Sequence, residues 1–156
     1  GMFRYSKLIE NINSADTSIL SNITTLKMYK YFTPTLASAL KYTLSFNNAL
    51  YNPHSGHMAS TGGILISTGF KIDGNNNECF FDDDGVGNVR LYYLASGVKS
   101  YLNSSQGTID YSTGAVTINS LKIASITNIG GKVSTIVQLT VTPNSNDVVA
   151  ELFLSP

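Results

Sequence analysis

Alternation of apolar and polar residues with a period of two is the feature of this sequence that most constrains its fold. Between residues 40 and 46, apolar side chains occupy the even positions and polar side chains the odd positions. Segments 89–93 and 133–141 repeat the same alternation. Successive side chains of a strand point to opposite faces, so this pattern is typical of half-buried antiparallel strands. The sequence therefore predicts a mainly β fold.

Residue pairs that end in glycine divide the apolar runs at intervals of roughly ten residues, a spacing typical of short strands joined by turns. The pairs are Asp73-Gly74, Asp84-Gly85, Ser96-Gly97, Gln106-Gly107, Thr113-Gly114 and Gly130-Gly131. Glycine supplies the positive φ that tight turns require, so each pair predicts a turn. The clearest predicted hairpin covers residues 108–118, with Ser112-Thr113-Gly114 at its tip.

These patterns predict an antiparallel β-sandwich or partly open barrel with a short N-terminal helix. The helix is predicted from apolar residues spaced i, i+3, i+4 and i+7, namely Tyr5, Leu8, Ile9 and Ile12. No helices alternate with the predicted strands, which argues against a doubly wound α/β fold. We assign residues 2–35 to the N-terminal helix and an extended arm, and residues 36–156 to the β-rich domain.

The charge balance narrows the range of partners. Charged residues make up 13% of the chain, and 10 Lys and Arg residues offset 10 Asp and Glu residues. A chain of zero net charge creates no overall field to attract nucleic acid or an anionic membrane. No apolar run approaches the roughly 18 residues of a membrane-spanning helix. We therefore expect neither nucleic acid nor a membrane as a partner.

The sequence gives no indication of catalysis. It has no Gly-x-Ser-x-Gly nucleophile turn and no phosphate-binding loop, and Gly85-Val86-Gly87 lacks the rest of a dinucleotide motif. The single cysteine, Cys79, excludes an internal disulfide and a cysteine-based zinc site. Because its neighbours are apolar, we expect a buried and inert thiol. We predict no enzyme, no catalytic residue and no cofactor.

An acidic stretch between Asp73 and Asn88 raises the alternative of calcium binding. Calcium loops place oxygen ligands at alternate positions, followed by a glycine at position six. Framed on Asp73, the first ligand positions hold Asp and Asn, but Glu78 stands where glycine is required. We favour two turns flanking a short strand at 78–81, with Asp and Asn present for turn chemistry. Cation binding by residues 73–84 stays open at this point.

A loop with two histidines is the candidate interface. His54 and His57 are three residues apart, a spacing that zinc can use on a helix, but Pro53 and Gly56 indicate a loop and no cysteine lies nearby. We therefore predict no metal site. We expect the loop to be an ordered contact, and an ordinary hairpin connection is the alternative. The candidate interface residues are Tyr51, Asn52, His54 and His57.

Short stretches along most of the chain carry a family resemblance. They are 21–25 (SNITT), 48–57 (NALYNPHSGH) with Gly62-Gly63 and 67–70 (STGF), 80–88 (FFDDDGVGN), 107–114 (GTIDYSTG) and 143–149 (PNSNDVV). In this order and spacing, they resemble the C-terminal part of the large baseplate-wedge protein of T4-like contractile-tailed phages, the gene product six family. The resemblance implies a domain or fragment of that larger protein.

The resemblance implies a structural role in the virion. Members of that family pair with each other as homodimers and clamp around other baseplate wedge proteins. Together they form the inner ring of the tail baseplate, which is assembled in the host cytoplasm. The family has no catalytic residue or cofactor. The alternative from another class is a carbohydrate- or calcium-binding β-sandwich module of a phage adhesin. Oxygen ligands converging at 82–84, or an aromatic platform facing solvent, would favour that alternative.

Overall fold

The computed structural model describes residues 26–144 of the 156-residue chain. The predicted N-terminal helix lies outside the described residues. Within them, all regular secondary structure is strand, so the mainly β prediction is confirmed. The described residues contain no helix that could cross a membrane. The strands are β1 (Met28–Phe32), β2 (Ala39–Ser45), β3 (Ile66–Ser67), β4 (Phe70–Ile72), β5 (Cys79–Asp83), β6 (Asn88–Ala95), β7 (Val98–Asp110), β8 (Ala115–Ile126) and β9 (Val137–Val141).

Strands β4 to β8 close into a five-stranded antiparallel barrel. Strand β8 makes the closure, because its first part pairs with β7 and its last part pairs with β4. Gly107 of β7 lies opposite Ile118, and Ile72 of β4 lies opposite Ile123. Strand β2 extends the sheet by pairing with β8 as well. Of the architectures predicted from the sequence, the barrel is therefore present, in closed form.

A second sheet has the strand order β1-β9-β3. Strand β1 pairs with β9 along its full length, from Met28 opposite Val141 to Phe32 opposite Val137. Strand β1 falls within the segment 2–35 that the sequence assigned to the N-terminal helix and an extended arm. Met28 and Phe32 are buried in the common core. The described part of that segment therefore belongs to the same folded unit as residues 36–144.

A single hydrophobic core contains buried side chains of the barrel strands and of the second sheet. Its largest fully buried side chains include Phe70 and Phe81, whose ring centroids are 4.8 Å apart. Strand β9 contributes Val137, Leu139 and Val141, which confirms the alternation predicted there. The predicted start of this strand at residue 133 is wrong.

Local hydrogen bonding explains why β9 starts late. The N–H of Ile136 donates to Ser134 Oγ, and that hydroxyl donates in turn to the carbonyl of Ile136. Such local side-chain bonds offer the backbone an alternative to the strand ladder. Val133 is consequently 85% exposed. In β2, a register shift between Leu40 and Tyr42 keeps both residues opposite buried residues of β8, yet Leu40 is 41% exposed.

Most of the predicted turns are present. Ser96 and Gly97 both have positive φ and join β6 to β7 as a two-residue hairpin, which is the type I′ signature. The hairpin at 108–118 is confirmed, since Asp110 pairs with Ala115 across its tip. The carboxylate of Asp110 accepts hydrogen bonds from the N–H groups of Ser112 and Thr113, which stabilises that tip.

The turn predicted at Gln106-Gly107 is wrong, because β7 runs through it without interruption. Gly107 does not have a positive φ. A Cβ atom at this position would collide with the carbonyl oxygen of Thr117 on β8. Glycine within a strand often marks a close approach of two backbones. At Gly107 the absent side chain allows β7 and β8 to close the barrel.

Replacing Gly107 by Ala should therefore destabilise the fold. Overpacking of this kind costs about 1–3 kcal/mol, because the backbone of β8 would have to move. Urea unfolding followed by circular dichroism would measure the change. Ser105→Ala, at an exposed position of the same strand, is the matched control and should be nearly neutral. Equal unfolding midpoints for Gly107→Ala and the unchanged chain would contradict this role of the glycine.

Candidate interface loop and its buried anchors

A turn-rich loop, residues 51–65, connects the end of the β2 region to β3. The carbonyl of Met58 accepts hydrogen bonds from the N–H groups of Thr61, Gly62 and Gly63 at 3.0, 3.0 and 2.8 Å. Met58 itself has a φ of +54°, and both glycines also have positive φ. The loop therefore has a defined conformation built on its own backbone, and it is fixed further by the contacts described below.

Three of the four candidate interface residues come together on this loop. The ring of His57 contacts Tyr51 edge-on at a centroid distance of 5.2 Å and His54 at 5.1 Å. Tyr51 and His54 are exposed, and His57 is half-buried. Met58, which sequence reasoning missed, adds an apolar side chain that is 50% exposed. We refer to Tyr51, His54, His57 and Met58 as the loop patch.

Asn52 has a different position from the other three. Its Nδ2 donates to the carbonyl of Gly85 at 3.3 Å, while its Oδ1 is buried without a hydrogen-bond partner. Asn52 and Ser55 line one side of an open groove of about 700 Å³, whose other walls include Val86, Asp110 and Thr117. Asn52 therefore connects the loop to the barrel and borders the groove beside the loop patch.

Asp83 is the first of two buried anchors beneath the loop. Its side chain is almost completely buried, with 1% of the residue exposed. Oδ1 accepts hydrogen bonds from the N–H groups of Ile64 and Leu65 at 2.7 and 2.8 Å. Oδ2 accepts from the N–H of Gly85 and from the hydroxyl of Tyr111. One carboxylate on β5 thereby fixes the end of the loop, the following turn and the β7–β8 hairpin.

Asp82 is the second anchor, and it is paired with two cations. Its Oδ1 accepts from Arg90 Nε at 2.8 Å, and its Oδ2 accepts from Lys99 Nζ at 2.9 Å and from the Tyr101 hydroxyl at 2.7 Å. Asp82 is as buried as Asp83, and a buried carboxylate is tolerated only when its lone pairs are satisfied in this way. The partners come from β6 and β7, so the ion pairs also join neighbouring strands.

The same two cations reach the loop directly. Arg90 Nη2 donates to the carbonyl of Ala59 at 2.8 Å, and Lys99 Nζ donates to the carbonyl of Thr61 at 3.3 Å. The guanidinium of Arg90 also lies 4.4 Å from the ring centroid of Tyr101. Each cation thus bridges a buried carboxylate of the barrel and a carbonyl of the loop.

Two tyrosines, Tyr101 and Tyr111, donate hydrogen bonds to the buried carboxylates of Asp82 and Asp83. Burial, followed by the hydrogen bond to Asp82, raises the pKa of Tyr101 well above its usual range. Burial and the hydrogen bond to Asp83 raise the pKa of Tyr111 in the same way. Both phenols therefore remain protonated at neutral pH, as a donor to a carboxylate must.

Asp84 completes the acidic stretch as a turn-stabilising residue. Its Oδ1 accepts from the N–H groups of Val86 and Asn88, and its Oδ2 accepts from Asn88 Nδ2. Burial alone would raise the pKa of Asp84, but these hydrogen bonds outweigh it and lower the pKa. The carboxylate is thus held in its charged form at the turn that leads into β6.

These contacts favour the turn-and-strand interpretation over calcium binding. Strand β5 covers Cys79–Asp83 and is flanked by turns at Asp73-Gly74 and Asp84-Gly85, as predicted in outline. The oxygens of the three consecutive aspartates face N–H, O–H and ammonium donors in separate directions. Within residues 26–144, no three or more His, Cys, Asp or Glu side chains are grouped to hold a metal ion. The lone pairs that calcium would need are already engaged.

Sequence reasoning missed Arg90, Lys99 and Tyr101 as the partners of Asp82. The available signal was the position of Asp82 and Asp83 directly after the apolar run 79–81, since acids in a buried strand require donors. The prediction for Cys79 is confirmed with respect to burial. The thiol is fully buried, and burial raises its pKa, which disfavours the reactive thiolate.

Comparison of the chain with known proteins gave no match among protein-family models, curated proteins or solved structures. The loop patch has the features of a contact surface, because its aromatic and apolar side chains are exposed on a backbone fixed from below.

Replacing Asp83 by Ala should destabilise the protein strongly. The change would leave the N–H groups of Ile64, Leu65 and Gly85 without an acceptor. Each buried N–H without a hydrogen-bond partner costs about 1–3 kcal/mol. We expect a loss of about 3 kcal/mol or more in the free energy of unfolding, measured in urea. Asp73→Ala removes an exposed carboxylate and serves as the control. Similar losses for the two variants would contradict the anchoring role of Asp83.

Proposed function

We propose that this chain is a structural domain of the baseplate wedge of a contractile-tailed phage, acting through self-association and contacts with other wedge proteins. The observation that carries the proposal is spatial. The stretches that carry the family resemblance lie far apart in sequence, yet several of them meet around the interface loop. The action of such a domain would be mechanical: it holds geometry in the tail baseplate of the virion.

Backbone hydrogen bonds join these stretches. The N–H of Gly56 donates to the carbonyl of Gly85, which connects segment 48–57 to segment 80–88. Leu50 donates to Tyr111, which connects it to segment 107–114, and Asn144 donates to Ala49. Stretches that resemble one family and are joined in one part of the fold support a shared role. Stretches that lay apart in the structure would support it less.

The physical character of the loop patch supports a contact role. Tyrosine and methionine are enriched at the centres of protein interfaces, where they bury large areas. Tyr51 is 40% exposed, although its own N–H and that of Leu50 donate to carbonyls of Thr142 and Tyr111, which fixes the backbone there. A surface that is ordered before binding loses little conformational freedom in the complex. The loop patch is therefore suited to contacts that must keep a constant geometry.

A carbohydrate-binding module remains the second candidate because of one observation. Tyr29 and Tyr31 alternate along β1 and expose 59% and 58% of their surface on the same face of the sheet. Ile66 of β3 lies on that face too, since Tyr29 and Ile66 are both paired with Thr140 of β9. Exposed tyrosines can stack on sugars. The calcium form of this alternative is disfavoured by the engaged carboxylates at 82–84.

The solution mass of the chain tests the assembly role. We expect light scattering over a concentration series to show a dimer or a larger species. Tyr51→Ala and Met58→Ala should each weaken self-association about fivefold to thirtyfold, because truncating a central interface side chain costs on the order of 1–2 kcal/mol. A calcium chelator should change nothing.

Leu94→Ala is the matched control, because Leu94 has a similar exposure of 49% but lies on the β6–β7 hairpin. It should leave the association constant unchanged. A strict monomer at every concentration, or an equal effect of Leu94→Ala, would contradict self-association through the loop patch. Binding of a glycan that is lost in Tyr29→Ala would favour the second candidate.

A further inference from the structure

Two ring nitrogens of the interface loop, His57 Nδ1 and His54 Nε2, lie within hydrogen-bonding distance of each other. His57 Nδ1 lies 3.3 Å from His54 Nε2, and the two rings are nearly perpendicular, at 86°. These are the only two histidines in the sequence. Two nitrogens bound to one tetrahedral zinc ion at 2.0–2.1 Å lie about 3.3–3.4 Å apart. The observed separation fits two ligands of one metal ion, and it also fits the N–H···N hydrogen bond of the metal-free pair.

The orientation of His54 is fixed by its second nitrogen. His54 Nδ1 lies 3.1 Å from the carbonyl oxygen of Ser55, which can only accept a hydrogen bond. Nδ1 must therefore carry the proton, and Nε2 presents its lone pair toward His57. A backbone carbonyl that receives the other ring N–H is the usual arrangement of a metal-ligating histidine.

The orientation of His57 is fixed by packing and by the backbone. The ring of His57 lies edge-on against Tyr51. The backbone N–H of His57 donates to the carbonyl of His54 at 3.1 Å. The N–H of Gly56 donates to Gly85 at 3.0 Å, which holds the intervening residues against the barrel. The loop backbone is therefore fixed before an ion binds, and the two rings need to rotate so that both lone pairs face the ion.

We propose that His54 and His57 form a binding site for a divalent transition-metal ion that prefers nitrogen ligands, with Zn²⁺ and Cu²⁺ as the best fits. In the metal-free chain, one proton between His57 Nδ1 and His54 Nε2 makes the hydrogen bond that the ion would replace. Metal binding moves that proton to Nε2 of His57, so a neutral pair releases no net proton. Because His54 is exposed, water fills the remaining coordination positions.

The ligand set determines which ions bind. Imidazole nitrogen suits zinc, copper and nickel, whereas calcium and magnesium require oxygen ligands. The order of affinity should therefore be copper above zinc and nickel, with no binding of calcium. A site with two protein ligands binds more weakly than the three- and four-ligand sites of zinc enzymes and zinc fingers. This inference is independent of the baseplate role.

Nuclear magnetic resonance of the untagged chain, labelled with ¹⁵N at histidine, tests the site directly. The spectrum contains two imidazole rings, so each nitrogen can be assigned. Addition of ZnCl₂ should shift His54 Nε2 and His57 Nδ1 together, and calorimetry should give one zinc ion per chain. Addition of CaCl₂ should shift neither nitrogen.

Single substitutions separate the site from unspecific binding. His54→Ala and His57→Ala should each weaken zinc binding at least about tenfold, which is the loss typical of even outer-shell changes at metal sites. Ser55→Ala is the matched control, because it retains the backbone carbonyl that orients His54, and it should bind zinc as the unchanged chain does. Unchanged melting temperatures would show that the variants fold.

Zinc binding that survives in both histidine variants, or imidazole signals that do not move at millimolar zinc, would overturn the proposal. Light scattering of the same samples with and without a chelator keeps this outcome separate from the assembly role. A chain that associates but binds no zinc would contradict only the metal site. A monomer that binds zinc through both histidines would support the metal site and contradict only self-association.

Discussion

The burial of two adjacent carboxylates, Asp82 and Asp83, is the constraint on which the rest of the structure depends. Removing an unpaired carboxylate from water costs several kcal/mol, so the fold must supply donors to both. The donors for Asp83 are the N–H groups of the loop end and the following turn. Those for Asp82 are two cations and a phenol on β6 and β7. A different conformation of the loop end would remove two of the donors to the buried carboxylate of Asp83.

The same carboxylates couple the barrel to the second sheet. Ile64 and Leu65, which donate to Asp83, directly precede β3, and β3 pairs with β9. The N–H of Phe81 on β5 donates to Ser67 Oγ of β3, which adds a second connection. The position of the loop patch is thereby fixed relative to both sheets. A domain with a mechanical role in an assembly requires this kind of internal stiffness, because a flexible contact would not transmit a displacement.

Features of local origin could be predicted from the sequence, and features that depend on distant contacts could not. Alternation identified β6 and the buried face of β9, and Ser96-Gly97 identified a hairpin, because one strand or turn contains the whole signal. Gly107 was misassigned because its function depends on the backbone of Thr117, which lies on another strand.

The same distinction between local features and distant contacts applies to the candidate site. The loop was predicted from local residues, Pro53 and Gly56. The anchoring of the loop by Arg90 and Lys99 was not foreseen, because those cations meet Asp82 only after the strands have paired.

Amide hydrogen exchange of Ile64 and Leu65 tests the central claim most directly, because their N–H groups donate to the buried carboxylate of Asp83 and to no strand partner. If the carboxylates fix the loop, both amides should exchange as slowly as those of the barrel core, such as Val116. Exchange as fast as that of the exposed Ser96-Gly97 turn would show that the loop opens independently of the barrel. That result would contradict the account.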